Sequence, residues 1–234
     1  MRTRREFLLG SAAVAGGFVI GCRVDLPEPT TSPIPVEPGQ TAINPYVVID
    51  RQGVTIIAPR AEMGQGIHTT LAALVAEELD VPFGEIRVEH GPASEHYSNN
   101  VLYGERPDPG LDRGEPTQAT GGQTSIRDAF VKMRQAGSAA RIMLLEAAAL
   151  RLGVDRQSLK TRRGFVVDGR GTRIAYTDLA IEAAAIDPPE DPPLKRRGRW
   201  KLLGKSLPRV DIPSKCTGTA RYGIDIALPG MLYA

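Results

Sequence analysis

Cysteine is almost missing from this sequence, and the gap excludes much. Cys22 and Cys216 are the only two, too few for a disulfide framework, a four-cysteine zinc site or an iron–sulfur cluster. A redox centre of that kind has to belong to another chain. Histidine is nearly as scarce, and His68, His90 and His96 are too scattered in sequence to suggest a zinc site. An excess of one charge is missing too, since 29 Lys and Arg against 27 Asp and Glu leave +2. That balance argues against a nucleic-acid partner. The basic cluster LKRRGRWK, residues 194–201, is the exception; it stands among prolines and reads as a solvated connector rather than a binding patch. What is present, 41% hydrophobic and 24% charged residues in 234, is enough for one sizeable core or two small ones.

The N-terminus carries the most specific local signal. Arg4 and Arg5 precede an apolar stretch from Phe7 to Ile20 that Gly10, Gly16 and Gly17 interrupt. It is too short and too glycine-rich for a stable membrane span and fits a twin-arginine export signal over residues 1–22. Such export moves folded proteins. Val19-Ile20-Gly21-Cys22 resembles a bacterial lipoprotein box, with Cys22 as the candidate lipid-bearing residue. Lipidation there and cleavage at a small residue elsewhere in 21–43 both stay open. Residues 23–45, rich in Pro, Thr and Ser, read as an extended tether.

The globular part begins near Tyr46. YVVID and VTIIA flank Arg51-Gln52-Gly53 and predict a hairpin. Leu71, Leu74, Val75 and Leu79 recur at helical spacing and predict a helix from Ile67 to about Leu79. Between strand and helix stands Gly64-Gln65-Gly66. At such a turn the first helical N–H groups lack intrahelical partners and favour an anion or a polar ligand edge. Glycine lets a ligand approach the backbone closely. A strand EIRVEH follows, then an aperiodic stretch from Gly91 to Thr124, of the length that usually marks a functional or disordered loop. Gly122-Gln123-Thr124-Ser125 opens a second helix, running to about Leu152, and Ser125 with Asp128 makes a capping-box pattern. Two glycine-rich helix starts in one domain can grip two parts of one elongated polar ligand. Simple turn formation and helix capping are the competing readings of the same residues. Beyond Val154, two short strands and a helix are expected, then the proline-rich basic segment 188–215.

Glu62-Met63-Gly64-Gln65-Gly66, the later GGQTSIR and the closing LLGKSLPRVDIPSKCTG resemble the large molybdenum subunit of the xanthine oxidase family. The nearest branch is isoquinoline 1-oxidoreductase beta-subunit-like, or aldehyde dehydrogenase molybdenum-binding subunit. The likeness runs from about Asn44 to the last residue. It implies an α+β fold in which residues 46–187 form part of a molybdopterin-binding domain, with a mixed sheet and packed helices. Residues 216–234 would then start an α/β hammerhead domain. It also implies that Gly64, Gln65 and Gly66 contact molybdopterin, in the cytosine dinucleotide form, close to the metal. Gly122, Gln123, Thr124 and Ser125 would wrap its pterin or phosphate part. Gln123 stands where the family commonly has serine, which places a hydroxyl contact at 123 in doubt.

The family hydroxylates aldehydes or N-heteroaromatics with oxygen from water, and its electrons leave through a small [2Fe-2S] subunit, with a cytochrome c as a candidate acceptor. The resemblance puts neither FAD nor an iron–sulfur cluster in this chain. The family's general base is a glutamate in a C-terminal Gly-x-Gly-Glu motif that this sequence lacks, so no catalytic residue and no protein metal ligand is assigned here. Glu77 and Glu78 show no sign of being that base, His68 reads as core packing or capping, and Cys216 reads as a plain strand-end residue. The apolar run at the end of the chain predicts a strand cut short, and hence a truncated gene or an incomplete sequence. Besides an exported hydroxylase subunit, two alternatives stand: a catalytically inactive truncated cofactor-binding fragment, and an unrelated exported binding protein.

Overall fold

A computed structural model describes residues 34–102 and 117–232. Arg4, Arg5, Cys22, residues 23–33 of the expected tether and the middle of the aperiodic loop lie outside the described residues. Strands β1 (Thr41–Asn44), β2 (Val47–Asp50), β3 (Gly53–Ala58) and β4 (Ile86–His90) form one sheet in that order. β2 and β3 are the expected hairpin, with Asp50 opposite Gly53. β3 and β4 run parallel, so the chain crosses between them through α1 (Ile67–Leu79). The sheet is mixed. Alternation along its strands sorts the side chains onto two faces. Val47, Ile49, Val54, Ile56 and Ala58 join the main core, while Val48 and Ile57 pack with Ile34 and Tyr97.

Helix α1 is buried nearly all round, its apolar residues in the core and Glu77 and Glu78 buried beside them. Leu71, Ala72, Leu74, Val75 and Leu79 belong to the main core, together with Met133, Ala140 and Leu144 of α2 (Ser125–Leu152). The two helices cross at Gly137, where a Cβ would lie 2.6 Å from the Val75 carbonyl oxygen. After Val154 the structure has three short strands rather than two, β5 (Lys160–Arg162), β6 (Phe165–Val167) and β7 (Arg173–Ala175), in a separate antiparallel sheet. Helix α3 (Tyr176–Ala184) then places Tyr176, Leu179 and Ala183 in the same core as α1. The Tyr176 hydroxyl donates to Leu79 O at 2.8 Å.

Four local expectations need correction. The tether does not run to residue 45, because Thr41–Asn44 is strand β1 and Ile34 is buried; pairing with β2 outweighs the Pro-rich composition upstream. Ser125 and Asp128 do not form a capping box: the cap residue is Thr124, without a side-chain cap bond, and the Asp128 carboxylate turns instead to Arg60. Residues 195–203 are not a freely solvated connector, since Lys195 and the 201–203 backbone bond to Glu77 and Glu78, although Arg196, Arg197 and Arg199 are exposed. Cys216 ends a short helix, α4 (Ile212–Cys216), not a strand, and residues 217–232 contain no strand among the described residues.

Candidate functional site

β3 ends at a charge that must be paid for. Arg60 follows the buried run VTIIAP and is fully buried, and a buried charge requires partners. Its guanidinium donates to Pro59 O at 2.7 Å, to Tyr97 O at 2.6 Å and to Ser98 O at 3.2 Å, and it pairs with Asp128 in the first turn of α2. Lys132 Nζ, 2.7 Å from the other Asp128 oxygen, and the Asn100 N–H at 2.9 Å complete the carboxylate's set. The pair ties the end of β3 to the start of α2. One residue on, Ala61 N–H donates to Thr120 Oγ1 at 2.9 Å. The two glycine loops, far apart in sequence, therefore meet.

The first loop closes on itself. Glu62 accepts from Gly64 N at 2.8 Å, Gly66 N at 2.9 Å and His68 N at 3.2 Å. Those amides at the start of α1 are thus not free, contrary to the sequence expectation, because an acidic side chain already meets the helix dipole. Burial is the largest influence on the Glu62 carboxyl and raises its pKa, but the bonds from Gly66, His68 and Gly64 outweigh it and leave the pKa lowered. Gln65 turns inward across the loop: its Nε2 donates to Ala61 O at 3.0 Å and its Oε1 accepts from Met63 N at 2.6 Å. Gly64 and Gly66 have φ of +102° and +82°, a region that side chains with a Cβ avoid. Gly64 is exposed, with nothing within 4 Å of a Cβ built there, so its backbone lies open to close approach.

The second loop is braced from inside. Thr124 is buried, donating to Gly121 O at 2.7 Å and accepting from Asn99 Nδ2 at 2.7 Å. Asn99 also bonds Ala119 O and, through Oδ1, the N–H groups of Val101 and Leu102, so it organises both ends of the long loop. The Thr124 hydroxyl is committed. Gly122 and Gln123, both at φ +56°, are exposed, and Ser125 is half-buried. The N–H groups of Ser125, Ile126 and Arg127 have no partner among the described residues, as the first turn of a helix leaves them.

His68 and His90, distant in sequence, come to a ring separation of 6.3 Å at the ends of the parallel strands. His68 Nε2 bonds Arg60 O at 2.9 Å, and burial pushes its pKa below the usual histidine value. Among the described residues no cluster of three or more His, Cys, Asp or Glu could hold a metal ion. Sequence reasoning passed over Arg60, Asn99 and Arg209. Arg60 alone left a signal: a charge immediately after an apolar strand buried on both faces.

Among the described residues, exposed Gly64 backbone and the unpaired amides at the start of α2 are the features open to a polar or anionic ligand. Residues 28–104 match the molybdopterin cofactor-binding domain family. The chain is 33% identical, over 99% of its length and 33% of the other's, to isoquinoline 1-oxidoreductase subunit beta of Brevundimonas diminuta. It is 31% identical, over 99% of its length and 28% of the other's, to a membrane-bound aldehyde dehydrogenase (pyrroloquinoline-quinone) of Gluconacetobacter polyoxogenes. Among solved structures, a Cu,Mo-CO dehydrogenase is 22% identical over 57% of this chain and 15% of that one, with a TM-score of 0.41. The chain thus has an α+β fold, matches a molybdopterin cofactor-binding domain over residues 28–104, and is similar along nearly its whole length to part of an isoquinoline 1-oxidoreductase beta subunit. It spans about a third of the length of the first of these relatives. The matched residues include Gly64, Gln65 and Gly66 but end before Gly122.

Proposed function

We propose that the chain is the N-terminal part of the molybdenum-cofactor-binding subunit of an exported hydroxylase acting on N-heteroaromatics or aldehydes. The observation that carries this is the Ala61–Thr120 bond, which sets the loop of Gly64, Gln65 and Gly66 beside that of Gly122, Gln123, Thr124 and Ser125. The cofactor, in its cytosine dinucleotide form, would supply the metal and the electron sink. Gly64 and Gly66, lacking side chains, would let it approach, Gly64 from the open side of the loop, Gln65 would present the one amide N–H not used inside the loop, and the Ser125, Ile126 and Arg127 amides would take an anionic group. Thr124 and Glu62 would brace the two loops. No residue of this chain is assigned proton transfer. With two cysteines and no cluster ligands, electrons would pass to a separate small [2Fe-2S] subunit and onward to an acceptor such as a cytochrome c.

The test is molybdenum content per folded, full-length protein, with turnover of an N-heteroaromatic or an aldehyde. Gln65→Ala should lower both with the fold kept, since a hydrogen bond to a charged partner contributes about 1.5 to 3 kcal/mol. Gly66→Val should do worse, because a β-branched residue resists the positive φ. Parental molybdenum and turnover in both variants would reduce the loop to a turn, and bound quinone in place of molybdenum would overturn the cofactor assignment. Export through the twin-arginine route rests on Arg4 and Arg5. Replacing both by Lys should hold the protein in the cytoplasm, and normal export of that variant would remove the assignment. Loss of a fatty-acid label on Cys22→Ala would separate lipidation from plain cleavage.

A further inference from the structure

The glycine loop at 62–66 is also held from outside, by a residue far along the chain. Arg209 Nη1 donates to Gly64 O at 2.8 Å, across a separation of 145 residues. Its Nη2 stands 3.3 Å from Glu62 Oε1, the oxygen that Gly64 and Gly66 also bond. The rest of the guanidinium is fixed by Asp211, through Nε at 2.9 Å and Nη2 at 2.6 Å, and Asp211 pairs in turn with Lys215. The neighbouring Val210 N–H donates to Thr69 Oγ1 of α1 at 3.1 Å.

We infer that Arg209 is a positioning residue for the cofactor loop, latching the Gly64 carbonyl and the Glu62 carboxylate in place. The inference rests on reading Gly64, Gln65 and Gly66 as cofactor-binding. A planar guanidinium can hold a carboxylate with two N–H groups and still aim a third at a carbonyl. An ammonium carries its three donors on one freely rotating nitrogen, too compact to span all three partners in one fixed geometry. Asp211 therefore sets the direction of Arg209, and Arg209 sets the loop. Glu62 Oε1 is gripped by two loop amides on one side and by Arg209 on the other, which fixes the turn that carries Gln65. Without the latch, Glu62 still caps α1, but the Gly64 carbonyl loses its side-chain partner and the loop gains freedom that cofactor binding must remove.

The test uses the full-length protein purified with its cofactor, and the variants Arg209→Gln, Arg209→Lys, Gln65→Ala and, as a control, Arg163→Gln. Arg163 makes an exposed 3.3 Å pair with Glu85 on another element. Three quantities are read: molybdenum and pterin per folded chain, hydrogen exchange at the Gly64 and Gly66 amides, and the urea midpoint. Arg209→Gln should speed exchange at both amides and lower occupancy by about fivefold, the scale of a partly exposed pair. Arg209→Lys should recover only part of this, and the midpoints should stay near parent and control. Parental exchange and occupancy in Arg209→Gln, beside lost occupancy in Gln65→Ala, would overturn the positioning role and leave the cofactor reading standing. Parental occupancy in Gln65→Ala as well would overturn both.

Discussion

At the scale of single residues, the site is governed by where charges are hidden. Arg60 is surrounded by three carbonyls and one carboxylate, so removing Asp128 would strand a buried cation, the costly case for buried pairs. Glu62 and His68 make the site sensitive to acid. Glu62 has a folded pKa below its ordinary 4.5, so the stability it lends is present above 4.5 and is lost as pH falls through the lower folded value. His68 is lowered from 6.5 chiefly by burial, which favours the neutral ring in the fold. The unfolded chain therefore takes up its proton first, and stability falls as pH drops from about 6.5 through the folded value. Acidification should weaken the fold in two stages, read as the urea midpoint from pH 8 to pH 3. His68→Phe should remove the upper stage. Glu62→Gln should shrink the lower one, which the lowered carboxyls of Asp50, Asp80 and Asp211 share, and lower stability at neutral pH by about 1 kcal/mol, as the loss of a helix cap does. A pH profile unchanged in both variants would rule out these two residues as the acid-sensitive groups.

At the scale of elements, the close crossing of α1 and α2 sets how the two loops meet. A Cβ at Gly137 would stand 2.6 Å from Val75 O and 3.1 Å from Glu78 Cβ, and since the nearer atom is backbone, the helices must part. Replacing glycine by alanine within a helix favours folding by about 1 kcal/mol, but overpacking costs about 1 to 3. Gly137→Ala should therefore destabilise by about 1 kcal/mol and Gly137→Val by more, measured by denaturant unfolding. A gain in stability for Gly137→Ala would mean that the helices slide apart freely. Much of this layer was legible in the sequence. Leu71, Leu74, Val75 and Leu79 carried a 3.6-residue period that places α1 at Ile67–Leu79, and Arg51-Gln52-Gly53 marked the hairpin turn. β1 was not legible, because four residues beside a proline-rich stretch carry no period and acquire their identity from β2. Asp128 misled for a physical reason: its spacing from Ser125 satisfied a local capping rule, while the buried guanidinium of Arg60 supplied the stronger partner. The glycine loops were legible as helix starts; the Glu62 cap is a local contact that spacing alone did not single out, and the contact between the two loops is a tertiary fact with no signature in spacing.

At the scale of the whole molecule, a charged strap binds the last part of the chain to the core helices. Glu77 and Glu78, adjacent on α1, are both buried. One Glu77 oxygen accepts the Lys201, Leu202 and Leu203 N–H groups at 2.8, 2.6 and 3.3 Å. Glu78 pairs with Arg134 of α2 at 2.7 Å and accepts the Lys195 N–H at 3.0 Å. Lys195 Nζ reaches Asp80 at 2.7 Å, and Ser138 Oγ donates to Pro193 O at 2.7 Å. Arg196, Arg197 and Arg199 sit between these anchors with exposed side chains. Trypsin should therefore find the right side chains there on a backbone that rarely opens, because cleavage of a folded protein follows its local opening equilibrium. Glu77→Leu leaves the N–H groups of exposed Lys201 and half-buried Leu202 and Leu203 without their carboxylate, and a donor left unpaired away from water costs about 1 to 3 kcal/mol, less where water reaches it. Cleavage within 196–199 should then speed at least about tenfold, as about 1.4 kcal/mol changes an equilibrium tenfold. Glu85→Leu, which breaks only the exposed pair with Arg163, should leave the rate unchanged. Equal rates in the parent and Glu77→Leu would show that packing of Leu202 and Leu203 against the core, rather than the buried carboxylate, holds the strap.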